Sequence, residues 1–191
     1  MIGAGWVLML VLALASAGSP LPPDVKPWPI GAGPGFRVDA APAAVQAGAN
    51  IGSLSCTVGQ GRRFGVHLEI FVRRQVLIVP PGIGVAQPSH SRFGRVVPRG
   101  CTYPVRTLDP TGVIEVRGHR RLGDFFAVWG QRLGRRHVAG FSTRTDVLAF
   151  LDGRRWHGDP ATIPLVRHAQ IVLEVGGYVR PHPRYLFPKG F

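Results

Sequence analysis

Leu68, Ile70 and Val72 alternate with His67, Glu69 and Phe71, the two-residue period of a β-strand. Val76–Val79 follows at once, and Pro80-Pro81-Gly82 stops it. Tyr103–Thr107 and Val113–Val116 read as two further strands, separated by the turn Asp109-Pro110-Thr111-Gly112. Val147–Leu151 runs into Asp152-Gly153, a tight-hairpin dipeptide, and Ile171–Val175 is a last clear strand closed by Gly176-Gly177. One stretch changes period. Leu122, Phe125, Phe126, Trp129 and Leu133 recur at helical spacing, with Asp124 placed at the positive end of the helix dipole. The pattern predicts a mainly β domain, either a β-sandwich or a β-rich α+β fold, with one short amphipathic helix at about 122–133.

The chain begins differently. Ile2–Ala17 is an almost unbroken apolar run ending in Ala15-Ser16-Ala17-Gly18. It is shorter than the roughly 20 residues that span a hydrocarbon core, and its small-residue end suits signal peptidase. Residues 1–17 therefore read as a signal peptide, with an uncleaved anchor as the alternative because no positive side chain precedes Trp6. Residues 18–50 are rich in proline, glycine and alanine and read as a linker, on which Trp28, Ile30 and Phe36 are available to dock. The single β-rich domain is expected over 51–191. No later segment is long enough to span a membrane, so the expected location is secreted or envelope-associated.

Export changes the reading of Cys56 and Cys101. In an oxidising compartment two cysteines at this spacing form a disulfide more readily than a redox or metal pair, and two buried thiols are the alternative. Composition adds little about fold but much about charge. Gly 26 and Pro 18 in 191 residues exclude a long-helix bundle, and 45% hydrophobic residues suffice for a packed core. Net charge is +13, and all but Lys26 and Lys189 of the 23 basic residues are arginine. Doublets occur at Arg62-Arg63, Arg73-Arg74, Arg120-Arg121, Arg135-Arg136 and Arg154-Arg155. GC-rich coding accounts for much of this bias. A surface so charged nonetheless attracts polyanions, and outside the cytosol these are cell-wall phosphate polymers, acidic glycans, anionic lipid surfaces and free DNA.

His67-Leu68-Glu69-Ile70-Phe71-Val72, then Pro80-Pro81-Gly82-Ile83-Gly84-Val85, Cys101, Asp109-Pro110-Thr111-Gly112-Val113-Ile114 and Leu122-Gly123-Asp124-Phe125-Phe126-Ala127-Val128-Trp129-Gly130 follow in a specific order. Over residues 51–191 this order resembles an uncharacterised family of exported bacterial proteins. That family reads His-x-His-Leu, Pro-Ala-Gly-Ile-Gly-Ile, a cysteine, His-Thr-His-Asp-x-x-Gly-Ile-Ile-His and Leu-Gly-x-Phe-Phe-x-x-Trp-Gly. Such histidines are the residue type that holds zinc, copper or nickel. Here Gly65 stands for the first histidine, Arg106 and Leu108 for the central pair, and Glu115 for the last; His67 and Asp109 keep the pattern. Arginine does not ligate a cation and repels one nearby.

Two binding chemistries follow from these residues. The first is contact with anionic polymer through Arg62, Arg63, Arg120, Arg121, Arg135 and Arg136, with no cofactor and no specific nucleic acid, since no reading helix or stacking motif accompanies the charge. The second is a reduced metal site of His67, Asp109 and Glu115 holding zinc or copper. No nucleophile elbow, phosphate-binding glycine loop or His-Glu-x-x-His occurs. The expected function is a non-catalytic binding or scaffold domain at the cell envelope, ahead of a metal-binding domain and of an enzyme of unknown chemistry.

Overall fold

The computed structural model describes residues 36–38, 42–59, 61–180 and 185–188. The expected signal peptide at 1–17 lies outside the described residues. In chain order the elements are β1 (Phe36–Arg37), α1 (Ala43–Gln46), β2 (Phe64–Val72), β3 (Gln75–Ile78), β4 (Ser89–Arg92), β5 (Arg95–Pro98), β6 (Val105–Arg106) and β7 (Val113–Val116). Then come β8 (Arg120–Arg121), α2 (Leu122–Trp129), β9 (Leu133–Gly134), β10 (His137–Val138), β11 (Phe141–Ser142), β12 (Leu148–Leu151), β13 (Arg154–Trp156), a 3-10 turn (Pro160–Thr162), β14 (Pro164–Leu165) and β15 (Gln170–Val175). The fold is mainly β, as expected, in its β-rich α+β form.

One mixed sheet organises it, in the order β1-β3-β2-β15-β12-β13. β2 is its long axis. The C-terminal end of β2 pairs with β3, its N-terminal half pairs with β7 on the same edge, and β15 runs parallel along the other edge from His67 to Val72. β6 then extends the sheet from β7. The Asp152-Gly153 turn joins β12 to β13 with Leu151 opposite Arg154, both turn residues having the positive φ that a two-residue hairpin requires. Gly112 closes the 109–112 turn at φ 78°, so near β2 that a Cβ there would lie 2.5 Å from the Leu68 carbonyl oxygen; no other residue type fits.

α2 packs on one face of this sheet. Its Leu122, Phe125, Phe126 and Trp129 are buried in the same core as Val66, Leu68, Ile70 and Val72, with ring centroids 5.4 to 5.9 Å apart among the three aromatics. Asp124 Oδ2 accepts from the Arg121 backbone N–H at 2.9 Å, fixing the first turn. The helix ends earlier than its hydrophobic spacing predicts. Gly130 takes the left-handed conformation (φ 72°) that terminates helices, and Leu133 reaches the core from β9 instead.

Three further differences from the sequence reading have local causes. β6 keeps only Val105–Arg106 of the expected Tyr103–Thr107 strand, because the Tyr103 and Thr107 backbone N–H groups turn to the carbonyls of Gly84 and Ile83. Part of the 18–50 segment belongs to the folded body: β1 pairs parallel with β3, and α1 buries Val45. Finally, β2 is buried on both faces, since His67, Glu69 and Phe71 are covered as well. Tyr185 stacks on His67 at 4.3 Å, and Tyr178 lies beside Phe150 of β12. A strand bonded along both edges and covered on both faces sits at the centre of its domain.

Candidate functional site: an arginine-lined groove

Where β2, β7 and β6 lie side by side, Gly65, Glu115 and Arg106 fall in one row across the sheet. Glu115 is buried, and its carboxylate is held by two guanidinium groups. Arg106 Nε and Nη2 donate to Oε2 at 2.8 and 2.6 Å, and Arg95 Nη2 donates to Oε1 at 3.1 Å. Arg95 reaches this point from the β4–β5 hairpin and also bonds Asp109 through Nη1. Asp109 in turn accepts from the Thr111 backbone N–H, the bond that shapes its turn.

Arg63, just before β2, fans its guanidinium over the neighbouring backbone. Nη2 donates to the Tyr103 carbonyl at 2.8 Å and to Thr102 Oγ1 at 3.1 Å, while Nη1 donates to the Pro104 carbonyl at 3.1 Å. Burial, then the Arg106 and Arg117 charges, hold it below the ordinary arginine value, at about 10, with Glu115 pulling the other way. It is therefore a permanent cation at neutral pH, in a place where other cations already crowd it.

The wall opposite β5 is fastened by sulfur. Cys56 and Cys101 form a disulfide with Cα atoms 5.3 Å apart. The next residues, Thr57 and Thr102, exchange two backbone hydrogen bonds at 3.0 and 3.1 Å. Arg117 Nη2 adds a bond to Thr57 Oγ1 at 2.6 Å. Between this wall and β5 lies an open groove of about 650 Å³, with Arg63, Arg99, Arg106 and Thr102 among its lining and Glu115 as its one carboxylate. Its lining sets Arg63, Arg99 and Arg106 against Glu115, so the balance of formal charge is positive. The arrangement suits an anion with several oxygens, which multiple guanidinium groups grip by charge-assisted hydrogen bonds.

Of the arginines that the sequence singles out, only Arg63 lines this groove, with Arg62 exposed beside it. Arg120 and Arg121 form β8, which pairs with β14 at the start of α2. Arg135 and Arg136 lie at the turn after β9 and make loose pairs with Asp146 at 3.6 and 3.8 Å. The doublets thus do not build one surface between them. Arg95, Arg99 and Arg117, isolated in sequence, are the ones that the fold gathers. The stretch from Glu69 to Asp109, which contains no acidic residue between its ends, carries the signal that points to Arg95 and Arg99.

The candidate metal residues are partly brought together. Asp109 and Glu115 line one small cavity with Tyr185, but the cation between them is the Arg95 guanidinium. His67 lies nearby, its Nε2 3.1 Å from the Thr111 carbonyl oxygen and its ring against Tyr185. Among the described residues no group of three or more His, Cys, Asp or Glu side chains is placed to hold a metal ion. Also among the described residues, no helix is long and apolar enough to cross a membrane. Set against protein-family models, curated proteins and solved structures, the chain gives no match in any of the three, and its groove stands as the feature from which function is argued.

Proposed function

We propose that this is a non-catalytic binding domain of the cell envelope that holds an anionic polymer in the groove beside β5. The observation that carries the reading is the convergence of Arg63, Arg99 and Arg106 on a groove of about 650 Å³ with a single carboxylate in its lining. Arg63 and Arg106 are held rigidly by bonds to backbone and to Glu115, so they lose little side-chain freedom when an anion arrives. The disulfide favours an oxidising compartment, in which phosphate polymers and acidic glycans are the abundant polyanions.

Binding of a glycerol-phosphate polymer, followed by calorimetry at several salt concentrations, tests this reading. Arg99 is exposed and bonds His90 rather than a carboxylate, so Arg99→Gln leaves the fold intact. The variant is expected to bind about tenfold more weakly and with a shallower salt dependence. The control is Arg135→Gln/Arg136→Gln, which removes two cations outside the groove. Equal weakening by both would replace a groove with diffuse attraction and overturn the proposal.

A further inference from the structure

Among the described strands, β4 and β5 pair only with each other. At their turn Ser91, Arg92, Phe93, Gly94 and Arg95 are all exposed. The turn is a two-residue one in which both Phe93 (φ 50°) and Gly94 (φ 75°) adopt the left-handed region. The first position of such a turn suits Asn, Asp or Gly, and a bulky side chain there is strained through its Cβ. Packing returns nothing for that strain. Phe93 is 94% exposed, and the contact its ring makes is with Arg92, whose guanidinium carbon lies 5.3 Å from the ring centroid. A residue strained in its backbone and exposed in its side chain suggests a use outside the fold.

The surroundings of the ring identify that use. Arg95 is turned back to Asp109 and Glu115, and the Val96 backbone N–H donates to the Leu108 carbonyl at 2.6 Å, so β5 is fixed to the body from just past the turn. Arg92 carries the outward charge at the turn, while Arg99, past the other end of β5, donates from Nε to His90 Nδ1 at 3.1 Å and lines the groove. No carboxylate occurs in the chain between Glu69 and Asp109. The tip therefore presents one apolar ring with the Arg92 guanidinium against it, on a two-stranded stem without a carboxylate.

We propose that the β4–β5 hairpin docks on an anionic lipid bilayer, Phe93 entering the boundary between headgroups and acyl chains while Arg92 pairs with lipid phosphate. A hydrated polymer offers this ring nothing apolar to enter. A membrane interface offers hydrocarbon directly beneath a layer of negative charge, the complement of this tip. One ring and one cation give reversible docking rather than permanent anchoring. The inference concerns a surface separate from the anion-binding role of the groove and does not rest on it.

The full chain is tested on vesicles of phosphatidylglycerol mixed with phosphatidylcholine and on vesicles of phosphatidylcholine alone. Phe93→Asn removes the ring and relieves the turn, so it is expected to melt no lower than the parent protein. Its binding to the anionic vesicles is expected to fall about tenfold. Phe93→Trp supplies a local reporter: emission beyond that of the parent protein is expected to be quenched by brominated acyl chains in anionic vesicles and not in zwitterionic ones. Unchanged binding by Phe93→Asn, or an unquenched tryptophan in protein that is bound, would overturn the proposal. So would loss of glycerol-phosphate polymer binding by Phe93→Asn without any quenching, which would assign the tip to the polymer instead.

Discussion

Arg106 and Glu115 stand opposite each other on β6 and β7, and two nitrogens of the one guanidinium share a single carboxylate oxygen of the other at 2.6 and 2.8 Å. The pair is largely buried, with side-chain exposures of 18% and 8%, and Glu115 also answers Arg95. It is the point at which the needs of the fold and of the groove oppose each other.

Removing that carboxylate should therefore move stability and binding in opposite directions. Glu115→Gln leaves Arg95 and Arg106 without their buried counter-charge and is expected to cost about 3 kcal/mol in denaturant unfolding. In the protein that remains folded, the groove is more positive, so affinity for glycerol-phosphate polymer is expected to rise. A variant that is destabilised and also binds more weakly would count against the groove as the anion site.

Glu174, on β15, supplies a pH dependence with a definite sign. Burial pushes its carboxyl above the ordinary glutamate value, while the Val179 backbone amide and the Arg155 charge act in the opposite direction. Between the ordinary value and the raised one, the unfolded chain has released a proton that the native chain still holds. The contribution of this group is therefore full below the ordinary value and is lost as pH rises through the raised one. Glu174→Gln should remove that slope. Thermal melts are expected to match the parent protein near pH 4 and to lie above it near pH 7.

The Cys56–Cys101 link has both an energetic and a local effect. It joins residues 45 apart in sequence and holds the Thr57–Thr102 wall of the groove. Cys56→Ser/Cys101→Ser is expected to lower stability by about 2–4 kcal/mol, read from denaturant midpoints. It should also weaken polymer binding under conditions in which both proteins are folded, because the residues beyond Thr57 lose their fixed distance from β5.

How far the sequence foretold this molecule depended on how local each feature is. The Asp152-Gly153 turn, the strands around Leu68 and Ile171 and the start of α2 are set by neighbours a few residues away, and all are legible. The end of α2 is less so, since Leu133 keeps helical spacing although it returns to the core on a different element. The covering of His67 is not legible from an alternating pattern, because it comes from the distant Tyr185. The groove is the least local feature of all. It exists because the β6–β7 register sets Arg106 against Glu115, and because the β4–β5 hairpin returns Arg95 to the same carboxylate from 20 residues away. Doublets drew attention to Arg120-Arg121 and Arg135-Arg136, but adjacent residues on a strand point to opposite sides, so doublets are poor builders of a shared pocket.

Cys56 and Cys101 bracket every residue from β2 to β5, so the exposed Phe93-Gly94 tip belongs to a closed covalent ring. A protease that nicks the tip cannot release a fragment. The two pieces stay joined and migrate as one species until a reductant parts them, so cleavage at this exposed turn would leave a clipped molecule still holding both halves together.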